Sequence, residues 1–327
     1  MPSTLSGGLF TDKPMNSPSA EIEVVMATWN GSRFLEEQLD SLFSQSFRDF
    51  RLTVRDDAST DSTLEIVEKY RSRYPDRIVV QRNHARMGAC ATFGLLLQHS
   101  DASYVAFCDQ DDVWRTDKLD ISFRAMQRVE RKYGADTPVL VFSDMALIEE
   151  DHTLIAPSLW KMAHVNPARS TLGTMLAQNL VSGCTALANR SLILKGHPIP
   201  GEATMHDAWL GLVAATFGIL HPLYEPTVQY RQHAGNAMGA GRGWKLADAF
   251  RRLIGDPRFS DEVRSSRRQA HSFAVRYANE LDEAQRRILN TWSNSQDLPP
   301  VLRHWTLYRN GLRRTHWLNT IGFFARV

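Results

Sequence analysis

From Glu21 onward the chain repeats one pattern: a short apolar run, a polar loop, then a stretch with apolar residues at helical spacing. Ile22-Glu23-Val24-Val25-Met26-Ala27 reads as a buried strand, and Arg33 to Phe43 places Phe34, Leu35, Leu39, Leu42 and Phe43 on one helical face. Phe50 to Val54 is a second strand, and after the loop DDASTDST a helix is expected from about Thr63 to Arg73, with Asp61 or Ser62 as its cap. Arg77 to Gln81 is a third strand, followed by a turn at Met87-Gly88 and a helix over Thr92 to Gln98, and Tyr104 to Cys108 is a fourth strand. Alternating strands and helices with short connections imply an α/β fold with a mostly parallel central sheet covered on both faces. Ligands of such sheets gather at the carboxyl ends of the strands.

That rule directs attention to three loops. The first strand ends in Thr28-Trp29-Asn30-Gly31, the second in Arg55-Asp56-Asp57, and the fourth in Asp109-Gln110-Asp111-Asp112. Polar groups from these strands should converge on one rim. Two like charges about 4 Å apart repel by roughly 4 kcal/mol at an effective dielectric near 20, so the acidic loop needs protonation or a cation. A hard divalent ion, Mg²⁺ or Mn²⁺, suits oxygen ligands and usually shares its shell with a phosphate. The spacing of a calcium-binding EF-hand, with its central Gly and final Glu, is absent.

Beyond Pro138 the regularity weakens. Val139 to Phe142 is another strand, Asn179 to Leu187 a loop feeding one, and a helix is expected to start near His206-Asp207 and run through Val213. Thr227 to His233 is strand-like, and Gly235, Gly239, Gly241 and Gly243 then break the structure. The expected organisation is a flexible segment over residues 1–20, an α/β domain over 21–238, and a basic, mainly helical region over 239–327 with apolar patches near Trp305 and Phe323-Phe324.

The 327 residues are 43% hydrophobic, enough for one large core with or without an appendage. Net charge is only +2, yet residues 241–327 hold 16 Lys/Arg against 8 Asp/Glu, so the basic charge sits at the C-terminal end. Cys90, Cys108 and Cys184 are separated, lack CxxC spacing and have small or apolar neighbours, and therefore read as core thiols of a reducing compartment. The first 20 residues lack the basic and apolar regions of a secretory signal, and no apolar run is long enough to span a bilayer. No nucleic-acid-binding motif accompanies the basic region.

Four segments in order, VVMATWNGSRFLEEQLDSL, VRDDASTDST, FCDQDDVWRTDKL and MHDAWL, closely resemble the family 2 glycosyltransferases of GT-A fold. CDQDDVW, NLVSGCTALANR, HDAWL and YRQHAGN look most like the bacterial rhamnosyltransferase-like branch, and the resemblance covers about Glu21 to Asn236. It implies an inverting transfer from a nucleoside diphosphate sugar. By the resemblance, Thr28 and Asn30 lie along the nucleotide, and Asp57, with Asp56 beside it, accepts a hydrogen bond from the base. A carboxylate can accept from the N3–H of uracil or thymine, which favours a UDP- or dTDP-linked donor.

The same resemblance makes Asp109 and Asp111 the DxD pair, Asp109 on ribose or metal and Asp111 on the cation. His233 is expected to complete the metal shell and Arg231 to face the diphosphate. Asp207 matches the general base, which must regain by burial the proton affinity that a helix N-terminus removes. Ser182 and Gly183 are expected to wall the donor sugar, and His206 to orient the loop or meet the acceptor. Asp112 is an additional acid suited to a cap or a supporting role. One departure is visible: Thr92 stands before Phe93 where such enzymes usually carry Asn.

The function these residues imply is transfer of a sugar, such as rhamnose from dTDP-rhamnose, to a saccharide or lipid-linked acceptor in cell-surface polysaccharide synthesis. The alternative is a nucleotide-sugar sensor or scaffold without chemistry, which would have no need of Asp207. A cytoplasmic location is expected, with the basic region 241–327 resting peripherally on anionic lipid at the inner face of the membrane.

Overall fold

The computed structural model describes residues 20–233, 257–324 and 327. The segment 1–19, the glycines of 235–243, Asn236 of YRQHAGN and the boundary expected at 238 lie outside the described residues. The elements in the first half are β1 Ile22–Thr28, α1 Leu35–Phe43, β2 Phe50–Asp56, α2 Thr63–Arg73, β3 Ile78–Arg82, α3 Ala89–His99, β4 Tyr104–Cys108, β5 Val113–Trp114 and α4 Lys118–Tyr133. There follow β6 Val139–Ile148, β7 Leu154–Ala156, α5 Leu159–Met162, α6 Leu172–Ala177, β8 Leu187–Asn189, α7 Arg190–Gly196, α8 His206–Phe217 and β9 Ile219–Arg231. Four more helices complete the described chain: α9 Pro257–Arg276, α10 Glu283–Asn294, α11 Pro300–Arg309 and α12 Trp317–Phe324.

One nine-stranded sheet runs β3-β2-β1-β4-β8-β6-β9-β5, with β7 on the edge of β6. The pairs β1–β2, β1–β4, β2–β3 and β6–β9 are parallel, whereas β8 is antiparallel to both β4 and β6. Successive side chains of a strand leave by opposite faces. Accordingly Ile22, Val24 and Met26 of β1 pack with Leu35, Leu39 and Leu52 on one side, and Val25 packs with Phe93, Phe107 and Trp209 on the other. Each fully buried Leu or Val contributes about 1.5–3 kcal/mol of apolar burial, so both faces of the sheet stabilise the fold.

The described C-terminal helices share the second of these cores: Phe273, Trp292, Leu307 and Phe323 join the cluster that holds Trp209. Trp209 meets Phe273 edge-on with ring centroids 5.2 Å apart. Phe323 is thus a core residue stacked on Trp292 at 5.7 Å, while Trp305 stays exposed.

Among the elements that differ from the sequence reading, two bear on the sheet and its cover. Helix α4 was not anticipated, although Leu119, Ser122, Ala125, Met126 and Val129 form its buried stripe. Strand β9 begins at Ile219, well before Thr227, because Pro222 and Pro226 interrupt the strand signal; the pairing with β6 shifts register between Ser143 and Met145 and lets the chain continue.

Candidate active site

The carboxyl ends of β1, β2 and β4 lie side by side, since Thr28 pairs with Asp56 and Met26 with Cys108 in parallel register. The loops are then stitched together. Gln110 clamps the first loop, its Oε1 accepting the Trp29 N–H at 2.9 Å and its Nε2 donating to the Trp29 carbonyl at 3.1 Å. A Cβ at Gly31 would fall 2.2 Å from Gln110 Oε1, so a side chain there would displace the Gln110 clamp. Asn30 has φ +46°, a left-handed conformation that Asn tolerates, and its Oδ1 accepts the Thr60 N–H at 2.8 Å.

Beside these loops a cavity of about 1180 Å³ is lined by Thr28, Trp29, Asp57, Asp109, Asp111, Ser182, Gly183, His206 and Asp207, among others. Asp57 is buried, and its carboxylate accepts N–H groups from Asn83 (2.7 Å), Met87 (2.8 Å) and Gly88 (2.7 Å). Burial alone would raise its pKa, but these donors and Thr92 outweigh burial and hold the carboxyl below its ordinary value. Thr92, the departure noted in the sequence, thus joins the Asp57 cluster; its Oγ1 also accepts from Asn83 Nδ2 at 3.2 Å.

Asp56, expected at the nucleotide, is instead wholly buried beneath the loop. It accepts from Thr28 Oγ1 (3.1 Å), Ser59 Oγ (2.5 Å) and Ser59 N (2.9 Å), and it is not among the cavity-lining residues. Asn30 is also absent from the lining. Both residues shape the rim through backbone and loop contacts, with Asp61 accepting from Ser32 N and Thr63 N at 3.1 Å each.

The acidic loop divides into an open and a closed part. Asp109 and Asp111 face the cavity, and Asp111 Oδ2 lies 2.8 Å from His233 Nε2, so two of the three residues expected to hold a cation are in direct contact. Burial, together with the charges of Asp111 and Asp207, pushes Asp109 up to about 7. Asp112 is buried, accepts the Arg231 N–H at 3.2 Å through Oδ1, and has its pKa raised by burial and by Asp111 and Asp109. Asp109, Asp112 and Cys184 place one ligand atom each within 4.8 Å of one another. The Cys184 thiol is buried, however, and burial and the neighbouring carboxylates raise its pKa well above the ordinary value, which makes it a poor partner for a hard ion. Beneath Asp112 lies Lys118, fully buried with its Nζ 3.9 Å from the Trp114 ring centroid; burial first lowers its pKa, to about 8, while Cys184, Cys108 and Asp112 favour its charge.

Arg231, expected to face the diphosphate, turns inward. It is 1% exposed and does not line the cavity. Its Nε donates to the Asp111 carbonyl (3.0 Å), one terminal nitrogen to the Glu150 carbonyl (2.9 Å) and the other to Glu37 Oε2 (2.6 Å). The planar fork is spent on these acceptors, which lock the end of β9 to the acidic loop and to α1. The cavity-facing arginine at this end is Arg86, which stacks over Trp29 with its guanidinium carbon 3.4 Å from the ring centroid. Sequence reasoning missed Arg86 because only Thr92 stands out in the segment after β3 that holds both residues.

Asp207 occupies the first turn of α8. Its Oδ2 accepts the Gly183 N–H at 2.8 Å, and its Oδ1 accepts from Ala208 N at 2.6 Å and Asn179 Nδ2 at 3.3 Å. Burial outweighs these donors and pushes the carboxyl up to about 6. The adjacent His206 is packed against Phe93 and Phe107 with ring centroids 4.0 and 4.9 Å away, and burial lowers its pKa to about 3, so the imidazole is neutral. A Cβ at Gly183 would stand 2.8 Å from His206 Nε2, which explains the glycine. Asn179 is a further member of the site that its position in the sequence alone did not single out.

A profile of Glycosyl transferase family 2 matches residues 23–186, half of the chain and all three loops of the rim. The chain belongs to glycosyltransferase family 2. This glycosyltransferase is 28% identical over 232 residues to the dTDP-rhamnosyl transferase RfbG of Shigella flexneri, covering 67% of the present chain and 75% of that protein. Its fold is similar to that of S. aureus TarS residues 1–349, solved in complex with UDP-GlcNAc, with TM-score 0.55 and 17% identity over 89% of this chain and 88% of that one. The mannosyltransferase PcManGT from Pyrobaculum calidifontis, solved with GDP-Man and Mn²⁺, aligns with TM-score 0.53 and 19% identity over 91% of this glycosyltransferase and 76% of the other chain. The sheet and its flanking helices are therefore a GT-A fold, as the motifs implied.

Proposed function

We propose that this glycosyltransferase moves a sugar, with rhamnose from dTDP-rhamnose as the leading donor, onto a saccharide or lipid-linked saccharide with inversion at the anomeric carbon. The observation that carries the reading is a single cavity lined by Asp57, Asp109, Asp111 and Asp207. Similarity to a dTDP-rhamnosyl transferase supports the donor. Asp57, whose donors favour its ionised form, lines the cavity as a carboxylate that can accept from the N3–H of a pyrimidine. Arg86, on Trp29, supplies a cation in the same cavity.

In the transfer, Asp207 takes the proton of the acceptor hydroxyl as its oxygen bonds to C1, and the C1–O bond to the diphosphate breaks with its electron pair on the leaving group. The Gly183, Ala208 and Asn179 donors aim the carboxylate, while burial restores its basicity. Asp109 and Asp111, with His233 beside Asp111, fit a hard cation because both carboxylates open to the cavity, and burial together with the charges of Asp111 and Asp207 drives Asp109 towards protonation. When bound, Mg²⁺ or Mn²⁺ would neutralise the charge that builds on the departing diphosphate. The Arg231 N–H holds Asp112 below this pair, with the buried Lys118 as a nearby charge, a supporting role for the third acid.

Assay with a panel of nucleotide sugars tests the donor. Turnover of dTDP-rhamnose above UDP- and GDP-sugars supports the reading, and equal inertness towards every nucleotide sugar with intact binding would favour a sensor.

A further inference from the structure

Among the described residues, half of the exposed large apolar side chains lie between Val301 and Ile321. On α11, Val301, Trp305 and Tyr308 recur at helical spacing, with Trp305 60% exposed, while Leu307 is buried on the opposite side. On α12, Trp317, Leu318 and Ile321 are exposed, Trp317 by 63%, and Phe323 points into the core. Isolated exposed apolar residues need no explanation, but exposed apolar side chains with three aromatics concentrated on two helices that meet where His304 stacks on Phe324, ring centroids 5.5 Å apart, mark an interaction surface. The charge around it has one sign: residues 298–327 contain five arginines and no Asp or Glu, and Arg309 and Arg313 are exposed beside the patch.

We propose that this face of α11 and α12 docks on a bilayer containing anionic lipid. Trp and Tyr seat at the headgroup level, the aliphatic residues enter the acyl boundary, and arginines meet the lipid charge. A second copy of the chain fits the patch less well, because a two-fold contact would set arginine against arginine. No helix among the described residues is long and apolar enough to cross a membrane, so contact through this surface is peripheral. The other side of the same segment reaches the active site, since Arg314 and Phe323 line its cavity. The volume, about 1180 Å³, exceeds the roughly 300–1,000 Å³ usual for one small ligand, which leaves room for an acceptor beside the donor. Docking would thus bring the cavity up to a lipid-borne acceptor, a consequence that rests on the glycosyl-transfer reading.

The test is co-sedimentation of the full chain with phosphatidylcholine vesicles, with and without phosphatidylglycerol. Binding that requires phosphatidylglycerol, falls about tenfold in the W305A/W317A variant and weakens in R309E/R313E is expected. Thermal unfolding of both variants should match the wild type, because the altered side chains are exposed. Transfer to a water-soluble acceptor should persist in W305A/W317A, so a wild type without transfer would fail the functional reading while leaving the vesicle result intact. Wild type that ignores the vesicles, or a W305A/W317A variant that binds them equally, overturns the proposal. A lipid-independent dimer abolished by the same substitutions would assign the face to a second copy and overturn it as well.

Discussion

Asp207 and Gly183 are joined by a 2.8 Å hydrogen bond from the glycine N–H to the carboxylate Oδ2. The contact couples the loop beneath the cavity to the first turn of α8, and it leaves no space for a side chain on the glycine. A Gly183→Ala methyl would stand 2.8 Å from His206 Nε2 and 3.6 Å from Asp207 Oδ2. Overpacking of this kind costs about 1–3 kcal/mol, so urea unfolding should show that loss, and transfer should fall as Asp207 is displaced. A variant with wild-type stability and turnover would show that the contact is dispensable.

The pH dependence of transfer follows from Asp207. A base must be ionised to act, and burial places this carboxyl at about 6. The rate should therefore fall about tenfold per pH unit below that value. The stability contribution has the opposite sense: a raised carboxyl favours folding when protonated, and the benefit is lost as pH rises through about 6. Rate profiles and melting curves from pH 5 to 8 would check both, and a flat rate profile across this range would contradict the assignment.

Arg231 is expected to act on stability more than on donor affinity. Arg231→Ala leaves the Asp111 and Glu150 carbonyls and Glu37 without their donor, and breaking such a buried set costs about 3 kcal/mol or more. Lys should rescue little, since a single ammonium cannot reproduce the fork. Unfolding midpoints and nucleotide titration separate the outcomes. Normal stability with lost nucleotide affinity would return Arg231 to the diphosphate.

Much of this site was legible because its chemistry is concentrated in strand ends. The apolar runs of β1, β2 and β4 located three loops, and their order relative to Asp207 pointed to one cavity. What spacing does not reveal is which side of a loop a side chain takes. Asp56 and Asp57 are neighbours, yet one is spent under the loop on Ser59 and Thr28 while the other borders the cavity. Arg231 carried the right chemistry for phosphate but turned inward, because Glu37 and Glu150 come from segments far away in sequence. Arg86 and Asn179 lie in segments that the motifs picked out, but nothing in the local pattern assigned either side chain a role. The prolines of β9 hid a strand that only its pairing with β6 reveals.

Divalent metal should bind Asp109 and Asp111 and stabilise the folded protein. At a concentration about a hundredfold above its dissociation constant, Mn²⁺ should add about 2.7 kcal/mol to the unfolding free energy of wild type. In Asp111→Ala this increment should largely vanish, and nucleotide binding should lose its sensitivity to chelator. Metal stabilisation unchanged in that variant would move the ion to other ligands.

The central claim is that Asp207 takes the acceptor proton, and one variant isolates it. Asp207→Asn preserves the side chain's shape, so calorimetric titration should give nearly wild-type affinity for the nucleotide-sugar donor. Transfer to acceptor should fall by roughly 10² to 10⁴. Unchanged donor binding with transfer near the wild-type rate would contradict the mechanism.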